Sequence, residues 1–273
     1  MSTPLSSEPT AHPPEEILVS QEGPILWVMF NRPHAHNAMT HDMECQLIDL
    51  CKNVALTPSV KAVIFTGAPA ARPAFMAGAD FASLEQAKTV DDFVALERSS
   101  EDLLEAMEAM KVPTIAAIAG ACVGGGSLLA ACCDVRIATP SLKFGFPIAR
   151  TVGNCLSVQN YARLVAMVGY ALTKEMVYSA KLVGADTLAA AFAIREVVPE
   201  AALHERAREI ALHLTTLAPL TLWATKTALH RLRDQTSRVI EDDDLLMACY
   251  GSNDFKEGVN AFMQKRKPLW QGA

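Results

Sequence analysis

Ala119-Gly120-Ala121-Cys122-Val123-Gly124-Gly125-Gly126-Ser127-Leu128-Leu129-Ala130 is the stretch whose reading decides the fold. It follows the apolar run Thr114-Ile115-Ala116-Ala117-Ile118, read as a buried strand, and leads into Ser127-Leu128-Leu129-Ala130-Ala131-Cys132-Cys133, read as a buried helix. Three glycines stand where strand gives way to helix. Glycine there admits backbone angles that other residues avoid and lets a ligand approach the backbone. The first N–H groups of a helix have no intrahelical partner and lie at the positive end of its dipole. Such a turn suits an anion, either a phosphate or an oxyanion that exists only during a reaction. The spacing is not G-x-G-x-x-G and no Lys-Ser/Thr pair follows, so neither the dinucleotide fingerprint nor a P-loop is present. Taken alone, the triplet is explained equally well by a tight turn at a close helix–strand contact.

Upstream of this stretch, residues 16–20 and 24–30 read as two strands around a turn at Glu22-Gly23. Residues 39–56 carry helical spacing, with Met43, Leu47 and Leu50 on one side, and Thr57-Pro58 ends them. A strand is expected over 62–65, then a long polar helix over 90–110 with Phe93, Leu96, Leu103, Leu104 and Met107 as its apolar members, broken at Val112-Pro113. Downstream, 135–138 reads as a short strand, and from Leu156 the pattern is mainly helical. Helices are expected over 156–167, 172–178, 184–191, 201–217, 219–233, 241–250 and 254–266. Strands alternating with helices, then helices alone, give an α/β class with a helical C-terminal part, joined near 153–156.

Composition narrows the function. The 273 residues allow one large domain or two small ones, and 51% hydrophobic content supplies a sizeable core. A formal charge of −6 argues against general nucleic-acid binding. The seven cysteines, odd in number, include no C-x-x-C pair and fall largely in apolar runs, which favours buried free thiols in a reducing cytoplasm over zinc or redox motifs. The Ser-, Thr- and Pro-rich residues 1–14 read as a flexible tail, neither a secretory signal nor an anchor. No apolar run approaches the ~20 residues of a membrane span.

Four segments in order resemble the crotonase (enoyl-CoA hydratase/isomerase) superfamily. They are Asn31-Arg32-Pro33 with Asn37-Ala38, Phe75-Met76-Ala77-Gly78-Ala79-Asp80, the glycine stretch with Cys133-Asp134, and Lys256-Glu257-Gly258 followed by Ala261-Phe262 and Lys265-Arg266. The resemblance implies an α/β spiral of repeated ββα units over residues 16–200, after a tail over 1–15, and a helical oligomerisation region over 201–273. It also implies a homotrimer or homohexamer. The expected partner is an acyl-coenzyme A thioester, with coenzyme A entering as part of the substrate and no resident cofactor or metal.

In this family two backbone N–H groups hold the thioester carbonyl and stabilise the enolate. They map here to Ala79 and Gly125. Substrate and CoA contacts map to His34, Ala35, Ala77, Gly78, Asp80, Gly124, Phe262 and Lys265, the last within the basic cluster Lys265-Arg266-Lys267. The chain departs from the family at both acid/base positions, where hydratases place glutamates. Leu128 and Ile148 stand there instead, and neither can move a proton. Nearby candidates are Arg150, as a carboxylate partner or an intersubunit ion pair; Asn154, orienting water or capping a helix; and Cys155, as a nucleophile or a buried first-turn residue. Asp80 and Glu85 are the carboxylates nearest the first loop. His41 falls near a helix start, exposed, and His204, His213 and His230, on the C-terminal helices, have no partner visible in the sequence. The expectation is an acyl-CoA lyase or isomerase of the hydratase/isomerase type, with decarboxylation, thioester hydrolysis or simple acyl-CoA binding as alternatives.

Overall fold

The computed structural model describes residues 15–80, 89–237 and 243–272, so the tail over 1–14 and Glu85 lie outside the described residues. In chain order come β1 (Ile17–Glu22), β2 (Ile25–Phe30), α1 (His41–Val54), β3 (Ala62–Gly67), β4 (Ala74–Met76), α2 (Val90–Glu108), β5 (Thr114–Ile118), β6 (Ala121–Val123) and α3 (Gly125–Cys132). Then follow β7 (Val135–Ala138), β8 (Lys143–Gly145), α4 (Val158–Ser179), α5 (Ala185–Ala190), β9 (Glu196–Val197), α6 (Leu203–Thr215), α7 (Pro219–Ser237), α8 (Asp243–Tyr250) and α9 (Asn253–Met263).

The strands form a six-stranded sheet ordered β1-β2-β3-β5-β7-β9 and a three-stranded sheet ordered β4-β6-β8. Only β1–β2 is antiparallel. Its turn is entered through Gly23 at φ +55°, the positive angle that tight hairpins need. β3 and β5 are buried almost throughout, as strands covered on both faces must be. Residues of the large sheet alternate between two cores. Phe30, Phe65, Ala116 and Ala138 face the small sheet and the helices around it. Ile25, Trp27, Ile64, Ile115 and Ile137 face Leu203, Ala207, Ile210 and Ala211 of α6, spaced for one helical face. Each fully buried leucine or isoleucine contributes about 1.5–3 kcal/mol.

A repeat is visible in the strand order. β3–β4, β5–β6 and β7–β8 each place one strand in the large sheet and the next in the small sheet, followed by a helix: α2, α3 and α4 in turn. This is the coiled ββα arrangement that the resemblance implied. The short strands β4, β6 and β8 escape sequence periodicity because three residues carry no measurable alternation. One further reading is corrected. The chain is not purely helical after Leu156, since β9 returns to pair with β7. The helices expected over 156–167 and 172–178 are both present: α4 is two helical stretches that meet at a break at Gly169, where φ is +79° and ψ 163°.

Buried charges fasten the helices to this frame. Glu108 of α2 receives Arg233 of α7 at 2.5 and 2.8 Å and Arg163 of α4 at 3.2 Å through each oxygen. Asp134 receives Lys226 of α7 at 2.8 Å, together with the backbone N–H and hydroxyl of Thr114 at 2.8 and 3.0 Å. Burial opposes ionisation of Glu108 most strongly, but the hydrogen bonds and charges of the two arginines outweigh it and hold its carboxyl at about 2. A depressed carboxyl pKa stabilises the fold above the unfolded value of about 4.5 and loses that stabilisation as pH falls toward about 2. Glu108→Gln, which leaves two guanidinium groups without their anion, is expected to cost ~3 kcal/mol in urea unfolding at pH 7. It should also flatten the loss of stability between pH 4.5 and 2 seen in the parent protein.

Candidate active site

Because β4, β6 and β8 run parallel, the segments leaving their C-terminal ends emerge side by side. Those segments are 77–80, 124–126 and 146–148. The first is laced to residues 36–40. Ala77 N–H donates to His36 O at 3.1 Å, Met39 N–H to Gly78 O at 2.8 Å, and Asp80 N–H to Met39 O at 2.7 Å. The pairing of Met39 with Ala79 is a parallel bridge. In such a bridge the flanking residues of the second segment make the bonds, so the N–H of Ala79 itself points the other way. It has no partner among the described residues, and Ala79 is exposed between buried Gly78 and half-buried Asp80.

The motif residues of the first block hold this lacing in place. The Asp80 carboxylate pairs with Arg32 at 2.7 Å, and Arg32 also reaches Glu16 at 2.8 Å and Ala38 O at 2.6 Å. Asn37, 1% exposed, accepts from Arg32 N–H at 2.8 Å and donates to Ala74 O at 2.7 Å. Asp80 therefore supports the loop.

The glycine triplet divides its tasks. Gly124 turns the chain at φ +56°, ψ −122°, a conformation closed to side-chain-bearing residues, and its N–H donates to Gly145 O at 3.0 Å. A methyl group on it would lie 3.6 Å from Gly78 Cα, so the two loops meet here. At Gly126 a methyl group would sit 2.2 Å from Met76 O, which bars any side chain. At Gly125 nothing lies within 4 Å, the residue is exposed, and its N–H has no partner among the described residues. Ser127 locks the turn from beneath, donating to Cys122 O at 2.6 Å and accepting Gly145 N–H at 3.2 Å. Two outward-facing N–H groups, Ala79 and Gly125, thus stand on loops that touch at Gly78 and Gly124.

The two positions that the resemblance maps to acid/base glutamates are apolar and enclosed. Leu128 is 6% and Ile148 9% exposed, both within the larger core. The three neighbouring candidates are not brought together. Arg150 is exposed, with no ion pair or side-chain hydrogen bond among the described residues. Asn154 does not cap a helix, because Ser157 is the N-cap of α4. Asn154 Nδ2 instead donates to the Tyr250 hydroxyl at 3.1 Å. Cys155 is half-buried with its Sγ 3.7 Å from Leu245 O. Burial pushes the Cys51 and Cys133 thiols up to about 12, which removes both as nucleophiles at neutral pH. Among the described residues, no group of three or more His, Cys, Asp or Glu side chains is arranged to hold a metal ion.

Of the CoA-side residues, His34 and His36 are exposed and Ala35 is half-buried. Phe262 at the end of α9 is 44% exposed and Lys265 is exposed at φ +53°. Within the basic cluster Arg266 is not available to a ligand. It is bidentate on Glu257 at 2.5 and 2.8 Å. α9 packs on its own chain, with Gly258 so close to Val152 O that a methyl group would lie 2.5 Å away, and the Trp270 ring covers Gly153. His204, without a partner in the sequence reading, stacks on Trp27 at 3.9 Å between ring centroids.

The sequence reading missed Glu97 and Tyr250. Glu97 of α2 accepts from Ser157 N–H at 3.4 Å, Asn160 Nδ2 at 3.3 Å and the Tyr250 hydroxyl at 3.2 Å. Its i, i+4 spacing to Glu101 was the available signal, but an acidic stripe on a polar helix reads as a solvated face.

A family model described as enoyl-CoA hydratase/isomerase matches residues 20–273. A crotonyl-CoA hydratase of Syntrophomonas wolfei is 32% identical over 257 residues, covering 93% of this chain and 96% of the other. The structure of an enoyl-CoA hydratase/carnithine racemase from Magnetospirillum magneticum superposes with a TM-score of 0.76 at 30% identity, covering 95% and 96% of the two chains. A methylmalonyl-CoA decarboxylase in complex with 2-nitronate-propionyl-CoA superposes with a TM-score of 0.86 at 22% identity, covering 95% and 99%. The architecture is thus the crotonase α/β fold with helices in its C-terminal region.

The differing environments of the glycines give a direct test. Gly126→Ala should lower stability by at least ~2 kcal/mol, because its methyl group meets a backbone carbonyl. Gly125→Ala should change stability by no more than ~0.5 kcal/mol, since its methyl group enters open space. Paired urea titrations measure both.

Proposed function

Because the chain belongs to the enoyl-CoA hydratase/isomerase family, we propose that it binds an acyl-coenzyme A thioester and stabilises the enolate formed from it between Ala79 N–H and Gly125 N–H. The observation that carries this reading is the pair of unpartnered, outward-facing N–H groups on loops that meet at Gly78 and Gly124. Donors fixed before the reaction gain most where negative charge develops, and one such donor is typically worth about 2.7–4 kcal/mol. Coenzyme A enters with the substrate, and the reaction needs no resident cofactor.

The apolar side chains at 128 and 148 shape which reaction this is. Hydration needs a group that deprotonates water and one that delivers a proton to carbon. Leu128 and Ile148 supply neither. Decarboxylation of a malonyl-type thioester generates its enolate without a base. The electron pair of the breaking C–C bond moves into the thioester, CO2 leaves, and a proton from water completes the product. Enclosed apolar side chains also disfavour a bound carboxylate and so favour its loss. Arg150, exposed as it is, does not support this reading, which rests on the oxyanion donors and the apolar positions.

We also propose a homotrimer or homohexamer. Exposed Leu220, Leu229 and Leu232 on α7 and Leu245 and Met247 on α8 are the apolar residues such contacts would cover. No helix among the described residues is long and apolar enough to cross a membrane, and the seven free cysteines suit the cytoplasm.

Incubation of the pure protein with crotonyl-, malonyl- and methylmalonyl-CoA, read by mass spectrometry, tests the reaction. Loss of CO2 from a malonyl-type thioester is expected, with crotonyl-CoA hydrated slowly or not at all. Robust hydration of crotonyl-CoA would overturn the decarboxylase reading, and tight binding without turnover would replace it by an acyl-CoA carrier. Sedimentation velocity should show a trimer or hexamer; a monomer at micromolar concentration would refute the assembly.

A further inference from the structure

Three consecutive residues of the segment that follows Ile148 are each met by a different C-terminal part of the same chain. Val152 lies against α9, where a methyl group on Gly258 would come within 2.5 Å of Val152 O. Gly153 lies under Trp270, whose ring would be 3.2 Å from a methyl group at that glycine. Asn154 Nδ2 donates to the Tyr250 hydroxyl of α8 at 3.1 Å. Gly153 is at φ +73°, an angle that glycine adopts without strain, so the ring rests on bare backbone. The Gly153 N–H donates to Ile148 O at 2.8 Å, and the N–H and hydroxyl of Thr151 return to Pro147 O at 3.1 and 3.0 Å. The loop is thus closed on itself, and whatever fixes Gly153 also fixes Ile148.

Trp270 is carried to this place by a folded-back segment. α9 ends in a Schellman turn, with Lys265 at φ +53°, Arg266 N–H donating to Ala261 O at 2.9 Å and Lys265 N–H to Phe262 O at 3.0 Å. The chain then doubles back along the helix, where two carboxylates of α9 receive it. Glu257 accepts the Arg266 guanidinium at 2.5 and 2.8 Å and the Leu269 N–H at 2.9 Å. Asp254 accepts the N–H groups of Gln271 and Gly272 at 2.6 and 2.8 Å, one on each oxygen. Residues 266–272 therefore form a strap anchored on both sides of Trp270, and the tryptophan between the anchors is what the strap delivers to Gly153.

We propose that Trp270 is a positioning residue and that the strap braces the Ile148 side of the site, an inference that rests on the reading of Ala79 and Gly125 as the donors of that site. The strap supplies no group to the reaction. Its ring fixes Gly153, the Gly153 N–H holds Ile148 O, and the apolar side chain at 148 keeps its place on the third loop. Asp254 and Glu257 act one step further back, by holding the strap.

Amide hydrogen exchange tests the brace without any substrate. In Trp270→Ala the Gly153 N–H should exchange about tenfold faster than in the parent, with the urea midpoint little changed. Trp270→Phe, which keeps a ring over the glycine, should stay within about threefold of the parent. A double variant, Asp254→Ala with Glu257→Ala, keeps the tryptophan and removes its anchors. It should exchange at Gly153 as Trp270→Ala does, and trypsin should cleave it after Arg266 about tenfold faster than the parent. Gly153 exchange that is unchanged in Trp270→Ala, or a released strap that leaves Gly153 protected, would overturn the proposal. On a malonyl-type thioester that the parent decarboxylates, Trp270→Ala should lower kcat about tenfold with KM little altered, and Trp270→Phe should restore it. An unaltered kcat despite faster exchange would also overturn the positioning role. If exchange responds as expected while no thioester is turned over, the brace stands and the proposed reaction fails.

Discussion

The structure depends on how closely backbone can approach backbone around β4. Carbonyl oxygens of Pro73, Ala74 and Met76 lie where methyl groups on Gly120, Gly67 and Gly126 would be, at 1.8, 2.0 and 2.2 Å. Only hydrogen fits in those places. Strand β4 is therefore nested against the end of β3, the β5–β6 turn and the start of α3 at once. That nesting sets the position of the loop after β4 relative to the glycine turn after β6. The two free N–H groups inherit their geometry from packed backbone rather than from mobile side chains, which is what a preorganised oxyanion site requires.

Around this backbone core, two carboxyl groups of α2 are held in different ways. Glu108 is overcompensated by two arginines and stays ionised, so its contribution disappears in acid. Glu97 is held instead by uncharged donors, the Ser157 N–H, Asn160 Nδ2 and the Tyr250 hydroxyl. Both lie on α2, eleven positions apart, and both tie that helix to α4. The acidic face of α2 is thus an internal fastening, while the substrate side is left to backbone groups and apolar side chains. The proposed decarboxylation, which begins by breaking a carbon–carbon bond, asks for charge stabilisation and little proton transfer, and it is proposed on that ground.

Much of this was legible in the sequence. The apolar run 114–118 can only be a strand covered on both faces, and Gly124-Gly125-Gly126 can only serve backbone approaches and turns, so strand, turn and helix were readable in place. The block motifs gave the family, and with it the proposal of Ala79 and Gly125 as donors. Leu128 and Ile148 could be seen to lack acid/base chemistry from residue type alone, because no fold makes a hydrocarbon titrate. What the sequence could not hold was direction and distance. Arg150, Asn154 and Cys155 lie within six residues yet point to solvent, to Tyr250 and to Leu245 O respectively. Glu97 and Tyr250, 153 positions apart, share a hydrogen bond. The three-residue strands are stabilised by neighbours rather than by their own pattern. The residues themselves determined which chemistry was available and which was missing; only the tertiary structure decided which groups face one another, because hydrogen bonds and desolvation act through space and are indifferent to separation along the chain.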